Sequence, residues 1–262
     1  MGAKKIKFQN AEGYEKMMGV WSQLVGSKFL EWLNPEKHQK WIDIGCGGGA
    51  FTEQLMENCF PSYLVGVDPS RDQLDFARQR PGLERAVFHQ ADAMDLPFES
   101  DYFDAATMAL VLFFVPDPTK AVEEMIRVTK PSAFVSAYVW DIHDGGWPGQ
   151  PIRTAFQDNN IYHPIPPSSD ISKMENLKTL WSDLNLHTIK TQRIVVERTF
   201  NTFDEFWNIT SNSAGVIAAL SELQPESITQ LKTTVRTSLP TAADGSITYQ
   251  AFANAIQGQV NK

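Results

Sequence analysis

The sequence Trp-Ile-Asp-Ile-Gly-Cys-Gly-Gly-Gly at residues 41–49 joins a short apolar run to a stretch that is glycine at four of its five positions. The run Trp41–Ile44 predicts a strand, and Phe51–Cys59 after the glycines returns to helical spacing. Glycine adopts positive φ at low cost and lets a ligand approach the backbone closely. The unpaired N–H groups at the start of the next helix would then face that ligand. The stretch therefore predicts a binding loop between a strand and a helix.

Strand-like and helix-like segments alternate outward from this loop. Strands are predicted at Trp41–Ile44, Tyr63–Val67, Ala86–Gln90, Phe103–Met108, Ala133–Trp140, His187–Phe200 and Ile247–Val260. Helices are predicted at Tyr14–Trp32, Phe51–Cys59, Asp72–Gln79, Thr119–Val128, Lys173–Leu184 and most of Phe203–Leu239, with a break at Pro225. This alternation predicts an α/β fold with a doubly wound, mostly parallel seven-stranded sheet. Its ligand site should lie at the carboxyl ends of the strands, near the point where the strand order reverses.

The composition changes along the chain and suggests how the parts are used. We expect residues 1–262 to form a single domain whose ligand-binding core spans residues 40–140. Residues 1–34 should lie over the site as an N-terminal helix. Residues 144–169 are rich in Gly, Pro and Asn and predict a long loop or lid. Residues 141–172 and 201–240 are expected to form helical cap elements. These would surround the site of a second molecule, which binds beside the ligand of the core.

Charge and cysteine content restrict the classes of partner. The 262 residues include 23 Lys and Arg against 31 Asp and Glu, so the formal net charge is −8 at pH 7. This balance disfavours nucleic acid as a partner, because binding phosphates needs clustered basic side chains. Cys46 and Cys59 cannot form a disulfide framework and predict reduced thiols in a cytoplasmic protein. No stretch is long and apolar enough to span a membrane, and we expect a monomer or a homodimer.

Three carboxylates stand near the ends of three successive predicted strands. Asp43 lies in the first strand, Asp68 follows the second and Asp92 follows the third. Asp68 can accept hydrogen bonds from both hydroxyls of a ribose; the alternative is a helix N-cap, a role that Asp72 or Ser70 can fill better. Asp92 can accept from an adenine amino group beside the N–H of Ala93, or it can simply form a turn. Together with the glycine loop, the three acids indicate a site for one adenosine.

These motifs resemble those of the class I S-adenosylmethionine-dependent methyltransferases. The resemblance is to the methyltransferase-domain-11 type, which includes the ubiquinone and menaquinone biosynthesis methyltransferases. The matching residues are Tyr14–Ser22, Asp43–Gly49, Asp68, Asp92–Ala93, Phe103–Asp104, Pro116–Pro118 and Met125–Pro131. The resemblance implies a Rossmann-like fold, S-adenosyl-L-methionine as cofactor and transfer of its methyl group to a small-molecule acceptor by in-line displacement. Relatives often carry a histidine where this chain has Phe113–Phe114.

The resemblance also implies a set of cofactor-binding residues. These are Tyr14, Trp21, Asp43, Gly45, Cys46, Gly47, Asp68, Pro69, Ser70, Asp92, Ala93, Met94, Ala109 and Leu110. Tyr14 and Trp21 would help to cover the cofactor. The backbone at Gly45 and Gly47 and the end of the fourth strand at Ala109–Leu110 would hold its methionine part.

An acceptor that loses a proton needs a base, and His143 is the candidate catalytic residue. It follows the fifth predicted strand, and the ordinary pKa of histidine lies near neutrality. Asp141 and Tyr138 are alternative bases, and His143 could instead be a solvated loop residue. The histidines show no spacing typical of metal ligands, so we expect no metal.

Two other classes of protein fit parts of this pattern. Gly45, Gly47 and Ala50 also satisfy the G-x-G-x-x-G/A pattern of dinucleotide sites, so an NAD(P)-dependent oxidoreductase is the main alternative. Asp43 just before the loop and the Asp92–Ala93 pair favour a single adenosine over a dinucleotide. A non-catalytic protein that binds S-adenosylmethionine is the remaining alternative.

Overall fold

A seven-stranded sheet forms the centre of the computed structural model, which describes residues 11–262 and, among these, no side chains of residues 11–17 or of Ala214. The strands are β1 (Lys40–Ile44), β2 (Tyr63–Asp68), β3 (Val87–Gln90), β4 (Phe103–Ala109), β5 (Thr129–Trp140), β6 (His187–Phe200) and β7 (Ile247–Gln259). Their order in the sheet is β3-β2-β1-β4-β5-β7-β6. Neighbouring strands from β3 to β5 pair in parallel, whereas β7 is antiparallel to both β5 and β6. The predicted α/β fold is confirmed.

Nine α-helices connect or cover the strands in the part of the chain that is described. They are α1 (Ala11–Leu33), α2 (Ala50–Cys59), α3 (Arg71–Arg78), α4 (Pro118–Val128), α5 (Gln150–Asp158), α6 (Met174–Asp183), α7 (Phe203–Thr210), α8 (Ala214–Ser221) and α9 (Pro225–Ser238). Short 3₁₀ turns occur at Leu112–Phe114 and Ser169–Ser172. The predicted break at Pro225 is the start of α9, because proline fits the first turn of a helix, where no intrahelical N–H bond is needed.

The prediction that residues 144–169 form one long loop is wrong in its middle. Helix α5 occupies Gln150–Asp158, with a proline in its first turn. Ile152, Ala155 and Phe156 are buried at helical spacing and fasten the helix to the core. The Gly, Pro and Asn residues that suggested a loop lie mainly on either side of this helix.

The middle strands of the sheet, such as β1 and β4, are buried on both faces. Strand β1 shows a nearly continuous apolar run, which is typical of a parallel strand covered by helices on both sides. Helix α1 packs against α2 and β6, with Val25 and Phe29 fully buried. The ring of Phe29 lies 4.5 Å from that of Tyr138 on β5, measured between centroids. Each such buried side chain contributes on the order of 1.5–3 kcal/mol, so α1 is held firmly over the edge of the core.

The strand order reverses between β1 and β4. The chain passes from β1 outward to β2 and β3 on one side and then crosses to β4 on the other. The loops that leave the carboxyl ends of β1 and β4 therefore diverge and leave a crevice between them. This crevice lies next to the glycine loop, as the sequence predicts.

Two composition-based expectations can be compared with the structure. Cys46 and Cys59 are both buried and form no disulfide. Within residues 11–262, none of the helices combines the length and the apolar character that crossing a bilayer demands.

Candidate functional site

A cavity of about 530 Å³ opens at the carboxyl ends of β1, β2, β3 and β4. It brings together most of the residues predicted to bind the cofactor. Those that line it are Asp43, Gly45, Cys46, Gly47, Asp68, Pro69, Ser70, Asp92, Ala93, Ala109 and Leu110. Residues that are separated in the sequence by up to about two thirds of the predicted core thus meet at one edge of the sheet.

The glycine loop forms the floor of the cavity beside β1. Gly45 and Gly47 have φ values of 76° and 51°, in the left-handed region that favours glycine. The N–H groups of Gly45 and Cys46 donate to the carbonyl oxygen of Val67, at 2.6 and 2.9 Å. A Cβ atom on Gly45 would overlap both γ-methyl groups of Val111, which follows β4. Glycine is therefore required at position 45 by its backbone conformation and by its neighbour.

Asp68 ties the end of β2 to the glycine loop. Its Oδ2 accepts from the N–H of Gly47 at 3.0 Å, and its Oδ1 accepts from the N–H of Ser70 at 2.8 Å. A carboxylate has about four acceptor sites, so two remain for hydroxyl donors of a ligand. Burial raises the pKa of Asp68, although these two hydrogen bonds oppose the shift. Ser70 caps α3 by accepting from the N–H of Gln73, so Asp68 is not needed as the cap.

Asp43 is a fully buried acid beneath the loop. Its Oδ2 accepts from the hydroxyl of Thr52 at 2.7 Å, whereas its Oδ1 receives no hydrogen bond from any described residue. Burial raises the pKa of Asp43 to about 7, with a smaller contribution from the nearby charge of Asp68. An orphaned carboxylate oxygen at a cavity is costly unless a ligand supplies a donor or a positive charge.

Asp92 and Ala93 adjoin the cavity after β3. Oδ1 of Asp92 accepts from the N–H of Met94 at 2.9 Å, so this acid does form a turn. Both Asp92 and Ala93 nevertheless line the cavity, and the second carboxylate oxygen of Asp92 stays available. The turn and the ligand-binding role are therefore compatible at this position.

The end of β4 has an unusual backbone conformation. Leu110 has φ of 61°, which costs a residue other than glycine about 1 kcal/mol or more. Its N–H donates to the carbonyl oxygen of Tyr138 at 2.8 Å, and this bond holds the conformation. The strained residue lies at the cavity wall, where such strain is most often found in binding sites.

Of the predicted cofactor residues, Trp21 and Met94 are not among the described residues that line the cavity. Tyr14 has its side chain outside the described residues. Trp21 is 2% exposed and packs on Phe200 and Tyr249, so its predicted role in covering the cofactor is replaced by a role in the core. The next residue, Ser22, lines the cavity instead, since consecutive helical residues point in directions about 100° apart. Met94 contributes its N–H to the Asp92 turn and is not among the lining residues.

His143 lies away from this cavity. Its Nε2 is 3.2 Å from Oδ1 of Asp170. Asp141 is buried, and its Oδ2 accepts from the side-chain amide of Asn254 at 2.7 Å. Of the three candidate bases, only Tyr138 is among the residues that line the cavity.

Sequence reasoning missed part of the cavity wall. The missed residues include members of α2, of the first two turns of α3 and of the segment after β4: Phe51, Asp72, Gln73, Phe76, Val111, Phe114, Val115 and Pro116. The spacing of residues 72, 73 and 76 places them on one side of α3, next to the acid that ends β2. That spacing could have identified them once the helix start was known.

The described residues contain no group of three or more His, Cys, Asp and Glu side chains that could hold a metal ion. Among the described residues that line the cavity, the ionisable side chains are Asp43, Cys46, Asp68, Asp72, Asp92 and Tyr138. No lysine, arginine or histidine is among them, so the cavity favours a ligand with positive charge.

The fold, with β7 antiparallel between β5 and β6, is similar to that of solved Rossmann-like methyltransferases. The YcgJ protein of Bacillus subtilis has a similar structure, with a TM-score of 0.61 and 20% identity, over 91% of this chain and 98% of that one. The phosphoethanolamine N-methyltransferase 2 of Haemonchus contortus, solved in complex with S-adenosyl-L-methionine, has a TM-score of 0.57 and 18% identity, over 96% of this chain and 57% of that one.

The sequence comparisons agree with the structural class. Residues 42–137 match the model of the methyltransferase domain family. The chain is 32% identical over 129 residues to a 2-phytyl-1,4-naphtoquinone methyltransferase of Trichormus variabilis, covering 47% of this chain and 54% of the relative. The chain spans about half the length of the curated relatives it matches.

Proposed function

We propose that this protein is an S-adenosylmethionine-dependent methyltransferase that acts on a small molecule. The observation that carries the proposal is the convergence of the glycine loop, Asp43 and Asp68 on one cavity at the strand-order reversal. The free thiols of Cys46 and Cys59 support a location in the cytoplasm.

The residues of the cavity fit an S-adenosyl ligand. Asp68 retains acceptor sites for the two ribose hydroxyls. Oδ1 of Asp43 lacks a partner among the described residues and suits a ligand that carries an ammonium group. Gly47 has only the Gln73 amide near the place of a Cβ atom, which leaves room for the ligand to approach its backbone.

When bound, S-adenosylmethionine supplies a methyl group that is attached to a positively charged sulfur. Once the methyl group is transferred, that sulfur is a neutral thioether. The protein must then align the acceptor with that methyl group and exclude water from the site. Asp43, Asp68, Asp72 and Asp92 supply negative charge around the cation. Apolar side chains after β4, among them Phe114 and Val115, exclude water from the same cavity.

The strand order argues against the dinucleotide alternative. The dinucleotide-binding fold has the order 3-2-1-4-5-6 in an open, mostly parallel sheet. Here β7 is inserted antiparallel between β5 and β6. Asp92 and Ala93 also line the cavity and suit the base of a single adenosine.

We assign the cavity wall that follows β4 to the methyl acceptor, and its side chains suit an apolar molecule. This wall consists of Leu110, Val111, Phe114, Val115 and Pro116. The naphthoquinone named for one relative makes a quinone-like ring a first candidate to test. We also propose that α5 and the helices α7 to α9 cap the acceptor site, since α5 packs against α9 beside the core.

The function is tested by calorimetry followed by a transfer assay. The purified chain is titrated with S-adenosylhomocysteine and, separately, with NAD⁺ and NADH. Binding of the first alone supports the proposal, and binding of a nicotinamide cofactor alone contradicts it. Incubation with methyl-labelled S-adenosylmethionine and a metabolite extract, with mass spectrometry of copurifying compounds, then identifies the acceptor. Tight binding without any labelled product would favour the non-catalytic alternative.

The affinity for S-adenosylhomocysteine is expected to rise with pH up to about pH 7. The pKa of Asp43 is raised to about 7, so below this pH the free protein holds the acid neutral. A ligand with an ammonium group binds the ionised form better, and the apparent Kd should fall by up to about tenfold per pH unit between pH 5.5 and 7. Above pH 7 the curve should flatten. Calorimetry across this range measures the dependence.

Asp43→Asn is the matched control, because it keeps the shape of the neutral acid and cannot ionise. Its affinity should be weak and nearly independent of pH in the same range. A wild-type affinity that does not change between pH 5.5 and 8 would contradict the role of Asp43. The raised pKa also predicts that the unliganded wild type becomes less stable as pH rises from about 4 to 7, whereas the variant does not.

Turnover is expected to survive the substitution His143→Ala. The imidazole lies beside Asp170 and is not among the residues lining the cavity. Initial rates with the identified acceptor should stay within about twofold of wild type, and Tyr138→Phe should be measured alongside, since Tyr138 does line the cavity. A loss of 100-fold or more in His143→Ala, roughly what removal of a general base causes, would restore the histidine as the base.

A further inference from the structure

Gln73 is a buried amide for which the described protein offers no partner. It is the third residue of α3, and its backbone N–H is bound by the cap at Ser70. The residue is only 6% exposed and lines the cavity. Its side-chain amide forms no hydrogen bond with the described residues. Because this amide lines the cavity and has no partner in the described protein, a bound ligand can supply one.

The position of this amide indicates which part of the ligand it would meet. Oε1 of Gln73 lies 3.8 Å from the point where a Cβ atom on Gly47 would stand, and 3.4 Å from that point on Gly48. The N–H of the same Gly47 donates to Asp68. The amide of Gln73 and the carboxylate of Asp68 therefore adjoin one backbone unit of the glycine loop.

The side chains of Gln73 and Asp68 offer complementary hydrogen-bonding groups to the two hydroxyls of a ribose. A ribose hydroxyl both donates and accepts hydrogen bonds, whereas an ionised carboxylate can only accept. Asp68 can receive the hydroxyl protons but leaves the hydroxyl oxygens without a donor. An amide carries two N–H donors, and turning it about its terminal bond exchanges the NH₂ group and the oxygen.

We propose that Gln73 donates a hydrogen bond to a ribose hydroxyl oxygen of the bound S-adenosyl ligand, so that the ribose is recognised by a donor as well as by Asp68. This inference rests on the proposed function. It adds a ribose contact from helix α3, whereas the predicted site binds the ribose only through Asp68 at the end of β2. A polar side chain on the buried side of α3, next to Leu74 and Ala77, is thereby explained.

The test compares ligands that differ by single hydroxyl groups. Wild type and Gln73→Met, which keeps the length of the side chain without its amide, are titrated with S-adenosylhomocysteine and with its 2′-deoxy and 3′-deoxy analogues. The variant should bind S-adenosylhomocysteine about tenfold more weakly, the value of one hydrogen bond. It should bind one of the deoxy analogues as well as the wild type does, because that analogue lacks the hydroxyl that Gln73 contacts.

Two controls keep the result interpretable. Gln79→Met makes the same chemical change at the exposed end of α3 and should leave all three affinities unchanged. Gln73→Leu provides a second removal of the amide, and thermal unfolding without ligand checks that each variant is folded. Unchanged affinity in both Gln73 variants, or an equal loss for all three ligands, overturns this inference alone. Absence of any binding by wild type overturns the proposed function and the inference with it.

Discussion

Replacing Asp68 with alanine is expected to weaken binding of S-adenosylhomocysteine by about 100-fold or more. The carboxylate is positioned by the N–H groups of Gly47 and Ser70, and its remaining acceptor sites face the cavity. Two hydrogen bonds from ribose hydroxyls to an ionised group are together worth on the order of 3–6 kcal/mol, and each 1.4 kcal/mol is a factor of ten in Kd. Isothermal titration calorimetry of wild type and variant at the same pH measures the change.

Asp68→Asn separates the charge from the shape. The amide can still accept at one atom, so this variant should lose less affinity than the alanine variant and should keep most of the loop geometry. Both variants should show cooperative thermal unfolding, because Asp68 lies at the cavity edge and not within the main apolar core. An affinity of Asp68→Ala within about threefold of wild type would mean that the ribose is bound elsewhere.

Replacing Gly45 with alanine should both destabilise the protein and abolish cofactor binding. The backbone at Gly45 has φ of 76°, which costs alanine about 1–2 kcal/mol. The added Cβ also overlaps the two γ-methyl groups of Val111, and such overpacking costs about 1–3 kcal/mol more. We expect a loss of about 2–5 kcal/mol in the free energy of unfolding, measured by urea denaturation, and no detectable binding of S-adenosylhomocysteine.

The double variant Gly45→Ala with Val111→Ala distinguishes the two costs. Removing the γ-methyl groups relieves the overlap but leaves the backbone strain, so the double variant should recover part of the stability lost by Gly45→Ala. Val111→Ala alone supplies the baseline for the cycle. Strictly additive effects of the two substitutions would contradict the contact between the glycine loop and the end of β4.

Both predictions depend on one property of the site: its backbone conformation is fixed by contacts within the protein before any ligand binds. The glycine loop is bound to Val67 on β2 and pressed against Val111 after β4. Asp68 links the loop to the start of α3. A ligand that enters this cavity therefore does not have to order the loop, which lowers the cost of binding.

Local patterns were sufficient to predict most of the cofactor side of this site. The glycine loop follows β1, and the acids Asp43, Asp68 and Asp92 stand at or near the carboxyl ends of β1, β2 and β3, strands that the sequence predicts. Because the carboxyl ends of parallel strands lie at the same edge of a sheet, their meeting in space follows from their order in the chain. The main error within the elements, helix α5, arose because Gly and Pro on both sides concealed a helical pattern of nine residues.

Other features depended on contacts that no local pattern contains. Trp21 and Ser22 are adjacent in the sequence, yet the first is buried among aromatic rings and the second faces the cavity. Their roles depend on the rotation of α1 against β6 and β7, which is set by packing over the whole helix. His143 resembled a base by its position after β5, but the fold brings it to Asp170 and away from the cavity.

The sequence alone determined the class of fold, the glycine loop proposed to bind the cofactor and the acids around it, since these depend on backbone conformation and on the periodicity of neighbouring residues. Only the tertiary structure decided that β7 enters antiparallel between β5 and β6, that Val111 excludes a side chain at Gly45, and that the amide of Gln73 faces the cavity. These are contacts between segments far apart in the chain, and their geometry is settled by how the whole core packs.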